Sequence, residues 1–150
     1  MKRLAFGIAV VASASLVAAP PSTAQATVGT AVYVQIRQSF EQVDGDDQCV
    51  GTAALGPVRR GSSVVLSDGA TAIDPPKVAV GQFFRSRLRD DICEALYITS
   101  APVLPSFNVQ FSGPAGELSP TFGPTSSEPV TYQPGIEQVV KVDIDVPPSP

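Results

Sequence analysis

Apolar and polar residues alternate along much of this chain, most clearly near its C-terminal end. In IEQVVKVDIDV, Val140, Val142, Ile144 and Val146 fall on one face, and Val139, Lys141, Asp143 and Asp145 fall on the other. Successive side chains of a strand point to opposite faces, so this pattern predicts a half-buried strand of an antiparallel sheet. The same period aligns Val32, Val34, Ile36 and Phe40 in AVYVQIRQSF, and Phe107, Val109 and Phe111 in SFNVQF. Val64 and Leu66 share a face ahead of an Asp68-Gly69 turn signal, and PKVAVGQF places Val78 and Val80 together. In CEALYITS, Glu94, Leu96 and Ile98 lie on one face, and Cys93, Ala95 and Tyr97 on the other. Tyr33 and Tyr97 are expected opposite the apolar faces, where two exposed rings would form a sugar-binding surface. Past the N-terminal region, no segment holds a helical period for three turns. FFRSRLRDDICEAL comes nearest, but Phe83-Phe84 and the alternating arginines break its stripe.

Proline punctuates the remainder, and a residue without an N–H cannot serve in the middle of a sheet. GPAGELSPTFGPTSSEPVTYQPG is therefore predicted as two short edge strands among turns. Seven or eight short strands with one bridge predict an all-β fold, a two-sheet antiparallel β-sandwich of the immunoglobulin-like kind. A partly open Greek-key barrel is the alternative.

The first residues do not fit the strand pattern. Lys2 and Arg3 precede an apolar run from Leu4 to Ala19, and Ala24-Gln25-Ala26 supplies small residues for cleavage. This is the order of a secretory signal peptide over residues 1–26, and the run is shorter than the about 20 residues that span a bilayer. A single domain over 27–146 and a frayed Pro-rich tail over 147–150 are expected to follow, with the product secreted or held at the cell envelope. Removing Lys2 and Arg3 from ten basic residues leaves eight against fourteen acidic ones, a formal charge of −6. An acidic domain without a basic cluster is a poor partner for nucleic acid, and no second apolar run predicts membrane insertion.

Two cysteines in an exported chain predict one disulfide, Cys49–Cys93, and their spacing fits neither a redox pair nor a zinc site. The stretches ending at the two cysteines echo each other: Gln38, Phe40, Asp46 and Asp47 recur as Gln82, Phe84, Asp90 and Asp91. A bridge would gather Asp46, Asp47, Asp90 and Asp91 near one end of the fold, with Asp44 a fifth carboxylate. Such a cluster could hold calcium, the one cofactor the sequence suggests; solvation or pairing with nearby arginines is the plainer reading. Arg85, Arg87 and Arg89 line one face of an extended strand, either as a binding stripe or as a solvated edge that resists aggregation. Set beside Glu41, Val43 and Gly45, they could also belong to a neighbouring strand of complementary charge.

The chain contains no histidine, so Ser–His–Asp and Cys–His nucleophilic systems cannot be built from it. It has no Gly-rich phosphate loop either, and no enzyme is expected. CVG, RRGSSVVLSDG and a second cysteine followed by SFNVQF resemble a broad group of small secreted actinobacterial proteins. The matching positions are Cys49, Gly51, Gly61, Val64, Leu66, Asp68, Gly69, Cys93, Phe107, Val109 and Phe111. That resemblance implies an immunoglobulin-like or transthyretin-like sandwich with one disulfide and assigns no catalytic residue. The expected function is non-catalytic binding or structural support, with an unidentified protein or envelope component as partner. A calcium-dependent or carbohydrate-binding module is the alternative. A proteinase inhibitor is third, using TSAPVLPS held rigid by Pro102 and Pro105.

Overall fold

The computed structural model describes residues 26–45, 48–71, 73–131 and 133–146. The leader expected over residues 1–26 lies outside this set except for Ala26, as do Asp46, Asp47 and the tail 147–150. Strands β1 (Thr27–Ile36), β4 (Ser63–Asp68), β5 (Lys77–Arg89), β6 (Ile92–Pro102), β7 (Ser106–Ser112), β8 (Phe122–Pro129) and β9 (Gln138–Ile144) form one barrel. Its order is β1-β6-β5-β4-β7-β8-β9, and β9 closes on β1. Strands β2 (Phe40–Gln42) and β3 (Cys49–Gly51) form a separate hairpin. A single 3₁₀ turn, Ala53–Leu55, follows.

The fold is all-β with one disulfide, as expected, but the main sheet is closed and does not divide clearly into two. Parity sets one detail of the closure. A ring of seven strands cannot alternate direction throughout, so at least one neighbouring pair must be parallel. That pair is β1–β9, while all six others are antiparallel. β4, β5 and β6 run as hairpins and β7 returns beside β4, a Greek-key connection. The step from β6 to β7 takes only Val103, Leu104 and Pro105. So short an arch spans at most ~14 Å, which sets a ceiling on the width of that barrel end.

Inward faces follow the alternation in most strands. Val32, Val34, Ile36, Val64, Leu66, Phe107, Val109, Phe111, Val140, Val142 and Ile144 all join the core. Tyr97 is a correction: it is fully buried, so the two-tyrosine surface does not exist. Its face, with Cys93 and Ala95, is the inward one, while Leu96 and Ile98 face outward. Val80 is a second correction, 55% exposed. Ala79 and Gly81 take the inward positions opposite Leu66 and Val64. Space decides this, since a Cβ on Gly81 would lie 2.8 Å from Val64 Cγ1 and 2.9 Å from Thr99 Cβ. Val139, expected in water, is buried because Val130 and Ile136 fold over it.

Three further points concern whole segments. FFRSRLR continues β5 without a break. A bulge between Phe83 and Arg85 leaves Phe84 64% exposed. The two edge strands expected before residue 135 are one strand, β8, which pairs with β7 along Ser106–Val109 and with β9 along Gln138–Val140. Its Pro124 is unpaired in either ladder, and Pro129 closes the β9 ladder. Finally, β2 pairs with β3 and not with β5, so Glu41 and its neighbours do not face the arginines across a ladder.

Tyr97 organises the core aromatics. Phe83 meets it edge-on at 5.6 Å between centroids, Phe111 lies 5.4 Å away on another side, and Phe122 is 6.1 Å beyond Phe111. Its hydroxyl and that of Ser62 lie 2.7 Å apart in a buried hydrogen bond. Burial raises the Tyr97 pKa well above the phenol's usual 10, because a phenolate there would lose its hydration. The unfolded chain therefore releases this proton near pH 10 while the native protein keeps it. Above pH 10 the unfolded state binds fewer protons, and stability falls by up to about 1.4 kcal/mol per pH unit. Denaturant titrations from pH 9 to 11 are expected to show this decline. Tyr97→Phe removes its contribution at a cost of about 1 kcal/mol at neutral pH. An unchanged slope in the variant would assign the decline to other groups.

Candidate functional site

The disulfide joins the small hairpin to the barrel. Cys49 on β3 and Cys93 on β6 lie 5.8 Å apart at Cα, with both residues buried. β4 pairs with the Lys77–Gln82 half of β5, so the far half of the β5–β6 hairpin overhangs. β3 covers that overhang: Ser86 Oγ donates to Cys49 O at 2.6 Å, and Leu88 N–H donates to Gln48 Oε1 at 3.3 Å.

The overhang ends in a two-residue turn, with Asp90 at φ 48° and Asp91 at φ 60°. Left-handed backbone at both central positions matches the type I′ turns that suit the twist of a hairpin, and Asp is among the residues that tolerate it. The two aspartates serve this turn, and both are exposed. Asp44 is exposed on the other hairpin. No group of three or more acidic or metal-ligating side chains gathers among the described residues, and Asp46 and Asp47 lie outside them. The echoed phenylalanines also part company: Phe40 packs against the core and Phe84 projects into solvent.

The arginine stripe lies on the outer face. Arg87 Nε donates to Glu94 at 2.6 Å, Arg89 approaches Asp90 at 3.9 Å, and the Arg85 guanidinium sits 6.0 Å from the Phe84 ring centre. Strand register extends this pattern across the sheet. Arg85, Leu96, Tyr33 and Lys141 form one row over β5, β6, β1 and β9, and Arg87, Glu94, Gln35 and Asp143 form the next. Gln35 Nε2 reaches Glu94 Oε1 at 3.5 Å. Arg37 makes a two-pronged contact with Asp143, both bonds at 2.9 Å. That contact lowers the Asp143 pKa and raises that of Arg37. A general acid requires a carboxyl shifted upward, and Asp143 is shifted the other way.

Beside Tyr33 the outer face opens into a groove of about 300 Å³. Tyr33, Val130 and Val139 contribute its apolar surface, while Gln35, Glu128 and Lys141 contribute polar groups. The groove exists because the β8–β9 ladder stops at Ser127↔Val140, after which β9 pairs only with β1. Lys141 Nζ bridges the parting strands to Glu128 at 3.2 Å. A mixed surface of this kind can seat an apolar group and orient its polar neighbours. Sequence reasoning had set Lys141 in water and singled out Tyr33 only with Tyr97. The juxtaposition of Tyr33 and Lys141 depends on the parallel β1–β9 pairing, which no local pattern encodes.

Of TSAPVLPS, Thr99 to Pro102 belong to β6 and Ser106 to β7. Ala101 and Pro102 are buried and Leu104 packs on the core, leaving Val103 and Pro105 exposed.

Fold and groove together define a small, disulfide-linked, seven-stranded β-barrel domain with a ligand-sized depression on its outer wall. No protein-family model, curated protein or solved structure matches the chain.

Proposed function

We propose that this is an exported, non-catalytic binding domain that seats part of a protein or envelope partner in the Tyr33 groove. The groove is the observation that carries this reading: a half-buried tyrosine beside valines, rimmed by side chains already held in ion pairs. Prearranged polar groups around an apolar floor lose little freedom on binding. The signal-peptide pattern of residues 1–26, the disulfide and the resemblance to small secreted two-cysteine proteins support export. The absence of histidine from the sequence supports a role without Ser–His or Cys–His nucleophilic catalysis.

Immobilised wild-type protein and a Tyr33→Ala variant, each incubated with culture supernatant and envelope fractions, test the assignment. A component retained by the wild type and lost by the variant is the expected result. Equal retention by both would remove the groove from the function, and retention by neither would remove the binding role.

A further inference from the structure

One edge of the barrel is left open beside the Tyr33 groove. We propose that an extended, basic segment of a partner protein pairs there, adding an antiparallel strand to β9 through main-chain hydrogen bonds. The inference rests on the binding role proposed above and gives the form of the partner.

The two edges of β9 differ. Toward β1 it is paired from Gln138 to Ile144, whereas toward β8 its ladder ends at Val140. The interruption has a cause in the sequence. Continued in register past Ser127↔Val140, Pro124 would stand opposite Asp143, and proline has no N–H to donate.

The paired edge fixes where the main chain points. Ile144 O accepts from Arg37 N–H at 3.1 Å, on the β1 side. Neighbouring residues of a strand turn their N–H and C=O to opposite edges, so Asp143 turns both away from β1, toward the gap. β8 has no ladder pair for Asp143, and no loop group bonds to its main chain among the described residues.

The groove reaches this same point, since Val142 and Asp143 both line it. Val142 is 3% exposed and its side chain packs in the core, so what it offers the groove is main chain. An N–H and a C=O held side by side on a strand edge are what an added strand satisfies.

Charge then selects the segment. Arg37 is committed to Asp143, and Lys141 to Glu128. Asp145 accepts from the neutral Gln38 amide at 2.6 Å and has no ion pair among the described residues. The formal charge of −6 expected after leader removal also favours a basic segment over an acidic one.

The test titrates the peptide acetyl-Val-Lys-Val-Lys-Val-Thr-amide into the protein and follows the Asp143 backbone amide by NMR. In an antiparallel pairing with the lysines outward, the lysine N–H groups point at β9 and the valine N–H groups away. Saturable shifts and slowed hydrogen exchange at Asp143 are expected. Methylating both lysine backbone nitrogens should weaken binding at least about tenfold, and methylating the valine nitrogens should cost less. Equal or greater loss from the valine methyls would overturn strand addition. Glutamate in place of both lysines should weaken binding, and undiminished binding would overturn the basic segment. Tyr33→Ala is expected to keep the Asp143 response, because the pairing is main-chain; loss of that response would seat the peptide in the groove and overturn the pairing. An Asp143 amide that responds to no peptide would also overturn it, while the retention experiment with Tyr33→Ala still judges the groove by itself.

Discussion

Replacing both Cys49 and Cys93 with alanine is expected to lower the unfolding free energy by about 4 kcal/mol. The cysteines are 44 residues apart, and opening so long a loop restores much chain entropy to the unfolded state. For a domain of this size the melting temperature should fall by roughly 10–20 °C. Removing two buried sulfurs from the core adds to the loss, since both residues pack among Leu55, Val58 and Tyr97 in one apolar cluster. Denaturant unfolding of the oxidised wild type and the variant measures the difference. Hydrogen exchange then locates it: amides of Phe40–Gln42 and Cys49–Gly51 should lose protection first, because these residues form their own sheet. The barrel ladders should keep theirs under mild conditions. A difference below about 1 kcal/mol would mean that the hairpin holds its place without the bond.

Gly29→Ala is expected to cost about 3 kcal/mol, from a contact and not from a special backbone angle. A Cβ at this position would lie 1.7 Å from the carbonyl oxygen of Gly135 and 2.8 Å from its carbonyl carbon. The obstacle is backbone, so no rotamer change relieves it. The segment before β9 would have to lift, breaking the 2.8 Å bond from Glu137 N–H to Gly29 O. Ile136 would then leave Ala31, Leu96 and Val139, which it covers in the second apolar cluster. The Tyr33 groove shares this segment's neighbourhood, so chemical shifts of Val130 and Val139 should move with the loss of stability. A variant within about 0.5 kcal/mol of wild type would show that the segment yields freely and that the groove is not firmly built.

The same segment shows where local sequence ceases to inform. Val139 alternates with Val140 and so belongs on the polar face by period. It is buried because Val130 and Ile136, outside the strand, come back over it. Val80 was misplaced for the opposite reason. Its strand was recognised, but the barrel interior at that level admits only Ala79 and Gly81. Period alone cannot say which of two apolar faces has room. Alternation sets Tyr97 opposite the face of Leu96 and Ile98, yet its own face is the inward one, and Ser62 supplies a buried partner for its hydroxyl from 35 residues away. The candidate sites follow the same division. The arginine stripe of β5 was legible because it depends on spacing within one strand. The Tyr33–Lys141 row was not, since it needs strands that are distant in sequence.

By itself, the sequence determined the all-β character, the one disulfide, most inward faces and the lack of histidine chemistry. These depend on two-residue alternation, turn chemistry and composition, which act locally or by simple count. Only the tertiary structure decided that the sheet closes, that β9 lies parallel to β1, and that β8 parts from β9 to leave a groove. Strand partners are chosen by the shared packing of one core, and that choice minimises the free energy of the whole chain at once.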